Sequence, residues 1–142
     1  MTDYYKKLYI VDASVIIKWG ALEENHKEAL KLREDFLKNN IEFAIPTLAI
    51  YEAMNYMVRK EPNKALLFLS QLLSMKINQF SITLGNTAKS LDITEAFKKT
   101  SFYDAHYHSL AILNNATFIT ADEKYYEQAK SLKHIQLLKH YF

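Results

Sequence analysis

Cysteine is absent from the 142-residue chain, and glycine and proline occur only twice each. Without cysteine there is no disulfide framework, no thiolate nucleophile and no Cys-ligated zinc, which suits an intracellular protein. Two glycines leave no material for a glycine-rich phosphate cradle, and neither a Walker loop nor a dinucleotide fingerprint occurs. So few glycines and prolines also leave little room for long loops or low-complexity linkers. No apolar run approaches the roughly 18 residues that span a bilayer. The polar, tyrosine-rich opening at residues 1–7 has no signal-peptide core behind it. We therefore expect a cytoplasmic protein that does not enter a membrane. A lopsided charge is missing too: 18 Lys+Arg against 16 Asp+Glu leave a net +2, which neither announces nor excludes a nucleic-acid binder.

What is present is enough apolar residue, 49% of the chain, to build one core, so residues 1–142 are read as a single domain. Periodicity predicts strands at 8–11, 43–45, 77–83, 117–120 and 135–138. Between them it predicts helices at 25–38, from Pro46 to about 60, at 62–75, 87–99, 101–114 and 122–131. Pro46 is expected in the first turn of its helix, where its missing N–H costs little, and Pro62 breaks one helix and opens the next. Strands alternating with helices imply a mostly parallel sheet covered on both faces. In such sheets, sites form outside the carboxyl ends of the strands.

Asp12 falls at such an end, in "LYIVDASVII". A carboxylate closing a buried strand needs a cation, a base or hydrogen-bond donors to offset its desolvation. Its ordinary role is to cap a helix opening at Ala13. "TFITADEKYY" repeats the arrangement with Asp122, again a natural N-cap. In "YEAMNYMVRK", Glu52, Asn55 and Arg59 share one helix face at spacing i, i+3, i+7, either a solvated stripe or a functional one. In "SFYDAHYHS", Ser101-x-x-Asp104 reads as a capping box, with Asp104 stabilised by the positive end of its helix. Each acid has an ordinary explanation. The set of four, at strand ends and helix starts that can converge on one sheet edge, points further. Four neighbouring carboxylates repel and cannot all ionise without cations, for which Mg²⁺ or Mn²⁺ is the hard-ligand answer. Such a site suits phosphoryl chemistry.

With these motifs assembled, the sequence resembles the PIN-domain ribonucleases, and within them the VapC-type toxins of toxin–antitoxin pairs. The resemblance rests on "YIVDASVIIKW", on "YEAMN", and on "FYDAHYHSLAILNNATFITADEKYYEQAK", in family order over nearly the whole chain. It implies a three-layer α/β/α sandwich around a five-stranded, mostly parallel sheet in strand order 3-2-1-4-5. It also implies Mg²⁺- or Mn²⁺-dependent endonuclease activity on RNA, with Asp12, Glu52, Asp104 and Asp122 as the catalytic, metal-holding cluster. Ser14 and Thr120 would support the cluster, Asn55 would help order it, and Arg59 is a candidate for the substrate phosphate, with Lys18 beside it. His106 and His108 stand where the family commonly carries apolar or small residues, and Glu123 adds a fifth nearby acid. A small antitoxin protein is the implied partner.

Two other readings compete. A doubly wound phosphoryl-transfer domain of another kind would need a second acid beside or two residues beyond Asp12, where the chain has Ala13 and Ser14. A catalytically silent interaction protein would keep the fold without turnover. Self-association is also expected. In residues 65–74, Ala65, Leu66, Phe68, Leu69, Leu72 and Leu73 form a broad apolar arc, with Leu67 on the other side among Ser70, Gln71 and Ser74. That is more apolar surface than one small sheet covers, and a two-fold homodimer would bury the rest.

Overall fold

The computed structural model describes residues 5–141; residues 1–4 and residue 142 lie outside the described residues. The chain begins with β1 (Leu8–Val11), whose last three residues are buried on both faces, as a central parallel strand requires. A short helix, α1 (Ala13–Ile16), follows at once and tightens into a 3₁₀ turn at Ile17–Trp19. Then come α2 (His26–Leu37), β2 (Glu42–Pro46), α3 (Leu48–Lys60) and α4 (Ala65–Ser74). The remainder is β3 (Asn78–Phe80), α5 (Leu84–Ala96), α6 (Phe102–Leu113), β4 (Thr117–Thr120), α7 (Glu123–Ala129) and β5 (Ile135–Leu137).

The five strands form one sheet in the order β3-β2-β1-β4-β5, and every pairing is parallel. This is the expected order, with "mostly parallel" sharpened to all-parallel. Val11 stands opposite Ile119, so the carboxyl ends of β1 and β4 finish side by side. Ile10, Val11, Phe118 and Ile119 are fully enclosed at the centre of the sheet, beneath Val15, Ile16, Met57 and Leu32 from the helices. Trp19 closes one end of this core: its ring stacks on Phe43 at 5.7 Å and its Nε1 donates to the Ala29 carbonyl at 2.9 Å. Beside it the backbone comes so close to α4 that a Cβ on Gly20 would lie 2.4 Å from the Phe68 ring.

Several local expectations change. Pro46 ends β2 opposite Phe80 instead of opening the helix; the Thr47 N–H, bonded to the Phe80 carbonyl at 3.2 Å, continues the ladder one residue further. The third strand is three residues long because β2 offers partners only for 78–80. Thr83 then leaves the sheet to cap α5, its Oγ1 accepting from the Asn86 N–H at 3.1 Å, so that helix starts and ends three residues earlier than expected. On α4 the apolar arc divides: Ala65, Phe68 and Leu72 are buried, whereas Leu66 and Leu73 are exposed, as is Leu67 on the other side.

Candidate functional site

Asp12 leaves β1 in an extended conformation, and its Oδ1 accepts from the Val15 N–H at 3.3 Å, capping α1. The same oxygen accepts from Ser14 Oγ at 2.5 Å, and Oδ2 accepts from Thr120 Oγ1 at 2.6 Å, across the seam between β1 and β4. The cap and the site are one arrangement. Both helper hydroxyls also grip the chain after β4: Ser14 Oγ accepts from the Ala121 N–H at 3.1 Å, and Thr120 Oγ1 from the Asp122 N–H at 3.0 Å. Only 5% of Asp12 is exposed. Burial, with a smaller push from the Asp104 charge, raises its carboxyl to about 7, and the bonds from Ser14, Thr120 and Val15 offset only part of that.

Asp122 caps α7, its Oδ1 accepting from the Tyr125 N–H at 3.0 Å. Asp104 sits in the first turn of α6, where Ser101 Oγ accepts its N–H at 3.1 Å. Burial raises the Asp104 carboxyl to about 6, and the charges of Asp122 and Glu52 push in the same direction. Glu52, half-buried on α3, receives a 2.7 Å hydrogen bond from Tyr107 Oη. Tyr107 is enclosed on α6 with its ring stacked on Phe118 at 5.5 Å. Burial and the charges of Asp12 and Glu52 hold its phenol far above the ordinary range, so it remains a donor.

The four predicted acids therefore sense one another: Asp104 feels Asp122 and Glu52, and Asp12 feels Asp104. Among the described residues, no three carboxylates or histidines stand close enough to form a ready-made metal cage. That spacing is compatible with Mg²⁺, which keeps several waters and takes only one or two carboxylates directly. The donors are all hard oxygens, and the raised proton affinities of Asp12 and Asp104 mark a site short of positive charge. In both respects they fit a hard divalent cation.

Tyr107 was not anticipated from the sequence. Its place three residues after Asp104, one turn along the same helix face, was the available signal. Asn55 and Arg59 are exposed on α3, whereas Glu52 is half-buried. Lys18 is 6% exposed and its Nζ lies 3.4 Å from Glu23, whose other oxygen accepts from Tyr56, so its charge is already matched away from the acids. Glu123 pairs with Lys139 at 2.8 Å on the surface. His108 is wholly buried and bonds Tyr125 Oη and the Lys133 carbonyl, each at 2.7 Å. It is a packed histidine, not a partner of Asp104. His106 is 5% exposed and its Nδ1 has no partner.

A PIN domain family model matches residues 9–131. The chain belongs to the PIN domain family. Among curated proteins the sequence has no significant match. Solved structures give the same architecture. A toxin–antitoxin complex from Klebsiella pneumoniae aligns with a TM-score of 0.69 at 18% identity, covering 94% of this chain and 98% of that one. VapC20 of Mycobacterium tuberculosis, described as a sarcin-ricin loop cleaving toxin, aligns at 0.66 and 12% identity over 85% and 94% of the two chains. VapBC2 from Rickettsia felis, bound to a DNA fragment from its promoter, aligns at 0.63 and 20% identity over 92% and 96%. At these identities the likeness establishes the fold.

Proposed function

We propose that the protein is a Mg²⁺- or Mn²⁺-dependent endoribonuclease, acting as the toxin of a VapBC-type toxin–antitoxin pair. The observation that supports this reading is that Asp104 feels the charges of Asp122 and Glu52 and Asp12 feels that of Asp104, with the Asp12 and Asp104 carboxyls raised to about 7 and about 6. Carboxylates crowded in this way gain most from a cation, and membership of the PIN domain family favours nucleic-acid hydrolysis as the use made of it.

Asp12, Glu52, Asp104 and Asp122 would hold the ion. Bound there, it supplies an activated water and stabilises the charge that develops on a phosphodiester during in-line attack. The chain's own residues set the geometry. Ser14 and Thr120 fix both oxygens of Asp12, and Tyr107 fixes one oxygen of Glu52. The new bond joins the water oxygen to phosphorus while the bond to the 3′ oxygen breaks and that oxygen takes a proton. The products are a 5′-phosphate and a 3′-hydroxyl. Asn55 orders the outer edge of the cluster, and the exposed Arg59 meets a backbone phosphate. A small antitoxin and a second copy of the chain complete the proposed assembly.

Purified protein, incubated with single-stranded oligoribonucleotides in Mg²⁺, tests this directly. Cleavage should vanish in chelator and fall by at least about a hundredfold in Asp12→Asn and Asp104→Asn. Both variants keep side-chain volume while removing charge, and Asp12→Asn retains one oxygen to cap α1. Undiminished cleavage in either one, with contaminants excluded, overturns the assignment.

A further inference from the structure

Tyr51 and Tyr103 are 71% and 55% exposed, and each immediately precedes a cluster acid, Glu52 and Asp104. They meet across a cleft of about 320 Å³ between the start of α3, the segment following β3 and the first turn of α6. Phe80, Ile82, Phe102 and His106 complete most of its wall. The volume falls in the usual range for small-molecule sites, roughly 300–1,000 Å³. Its wall brackets two of the acids in sequence, with Tyr51 beside Glu52 and with Phe102, Tyr103 and His106 around Asp104.

We propose that this cleft is a nucleobase subsite, taking one unstacked base of a single-stranded RNA next to the phosphodiester held at the carboxylates. The inference rests on the nuclease reading given above and adds to it the part of the substrate that is recognised. Three observations carry it. First, the wall contains no Lys, Arg, Asp or Glu, so the cleft suits the uncharged part of a nucleotide and not its phosphate. Second, aromatic faces are the platforms on which proteins stack single-stranded bases, and this small space collects Tyr51, Phe80, Phe102 and Tyr103. Third, His106 stacks on Phe102 at 5.5 Å and contributes an imidazole whose buried Nδ1 has no hydrogen-bond partner. A buried polar atom left unpaired in this way is uncommon, and the polar edge of a base is a chemically suitable neighbour for the ring. The hydroxyls of Tyr51 and Tyr103 add further polar groups at the rim without adding charge.

The probe is a short single-stranded oligoribonucleotide containing 2-aminopurine, titrated in chelator so that no turnover occurs. Stacking in the cleft should quench the reporter in the wild-type protein. Tyr51→Ala and Tyr103→Ala, both at exposed positions, should weaken binding roughly tenfold, within the range expected for loss of one stacking partner. Tyr103→Phe keeps the ring and should restore binding. Nucleoside monophosphates should compete, and ribose 5-phosphate should not. Equal competition by ribose 5-phosphate, or unchanged binding in both alanine variants, overturns the proposal. If the reporter stays bright and the alanine variants instead change the mass of the protein in light scattering, the cleft belongs to a second copy of the chain, which also overturns it. Cleavage measured in parallel separates the two readings. Cleavage without quenching removes the base subsite alone, whereas quenching without cleavage removes the nuclease and leaves the subsite standing.

Discussion

Tyr107 Oη donates to Glu52 Oε1 at 2.7 Å, joining the interior of α6 to the rim of α3 across 55 residues of sequence. The phenol is rigid because its ring is 2% exposed and stacked on Phe118, so it presents one oxygen of Glu52 in a fixed position. Glu52 is otherwise a half-buried side chain free to turn toward water.

Tyr107→Phe should therefore keep the fold and loosen the acid. A hydrogen bond to a charged group contributes about 1.5–3 kcal/mol when buried, and the access of Glu52 to water places the loss toward the lower end. The expected result is a modest drop in urea stability with a several-fold weaker Mn²⁺ affinity by calorimetry. An unchanged Mn²⁺ affinity would detach Tyr107 from the site and leave it a core residue.

Asp12 and Asp104, raised from 3.8 to about 7 and about 6, make stability depend on pH in a definite direction. Between about pH 4 and 7 the folded chain holds protons on these groups that the unfolded chain has released. Stability is thus lost as pH rises through 6 and 7. For Asp12 the loss between pH 6 and 8 is about 1.4 kcal/mol. Burial lowers the proton affinity of His106 and His108, so both act oppositely and cost stability as pH falls below the ordinary histidine value near 6.5. In chelator, the melting temperature of Asp12→Asn should fall less, or rise more, between pH 6 and pH 8 than that of the wild type, because the Asp12 contribution to the slope is gone. Added Mg²⁺ should raise the melting temperature more at pH 8 than at pH 5, because at low pH protons already occupy the carboxylates. Equal Mg²⁺ stabilisation at both values would count against binding at this cluster.

Leu66, Leu67 and Leu73 on α4 are 79%, 62% and 51% exposed, and Val58 on α3 is 58% exposed. Leu66 and Leu73, seven residues apart, share one face. We expect a two-fold dimer through this region, with a mass by light scattering near twice the 16.6 kDa of the chain. Leu67→Glu should shift it toward monomer. A clean monomer in the wild type rejects the dimer, and an undisturbed dimer in Leu67→Glu moves the interface elsewhere.

Three of the four candidate acids stand where a local pattern ends, whereas Glu52 was marked only by its face on α3. Asp12 and Asp122 follow β-branched runs, and Asp104 follows a capping serine, so the sequence marks both their place in the chain and the sheet edge they reach. The strand order was carried by family resemblance, since periodicity alone does not say which strand neighbours which. Pro46 was misplaced because its fit to a helix start is local, whereas its position opposite Phe80 is decided by a strand more than thirty residues away. The end of β3 was overrun for the same reason: alternation continues to Thr83, but β2 runs out of partners. Tyr107 was hidden because an aromatic on a buried helix face reads as core. Its hydroxyl matters only once α3 and α6 are brought together. On α4, Leu66 and Leu73 fit the apolar period and yet remain outside, because hydrophobic spacing identifies a face without saying what covers it.

The sheet order has a consequence in time as well as in space. β1, made first, carries Asp12, and its neighbour in the finished sheet on one side is β4, which leads to Asp122. A nascent chain displaying Asp12, Glu52 and even Asp104 still lacks Thr120, the hydroxyl that fixes the inner oxygen of Asp12, and the fourth acid beyond it. The cluster therefore closes only once Thr120 and Asp122 have been made. Any product that stops short of Asp122 thus lacks one of the four carboxylates.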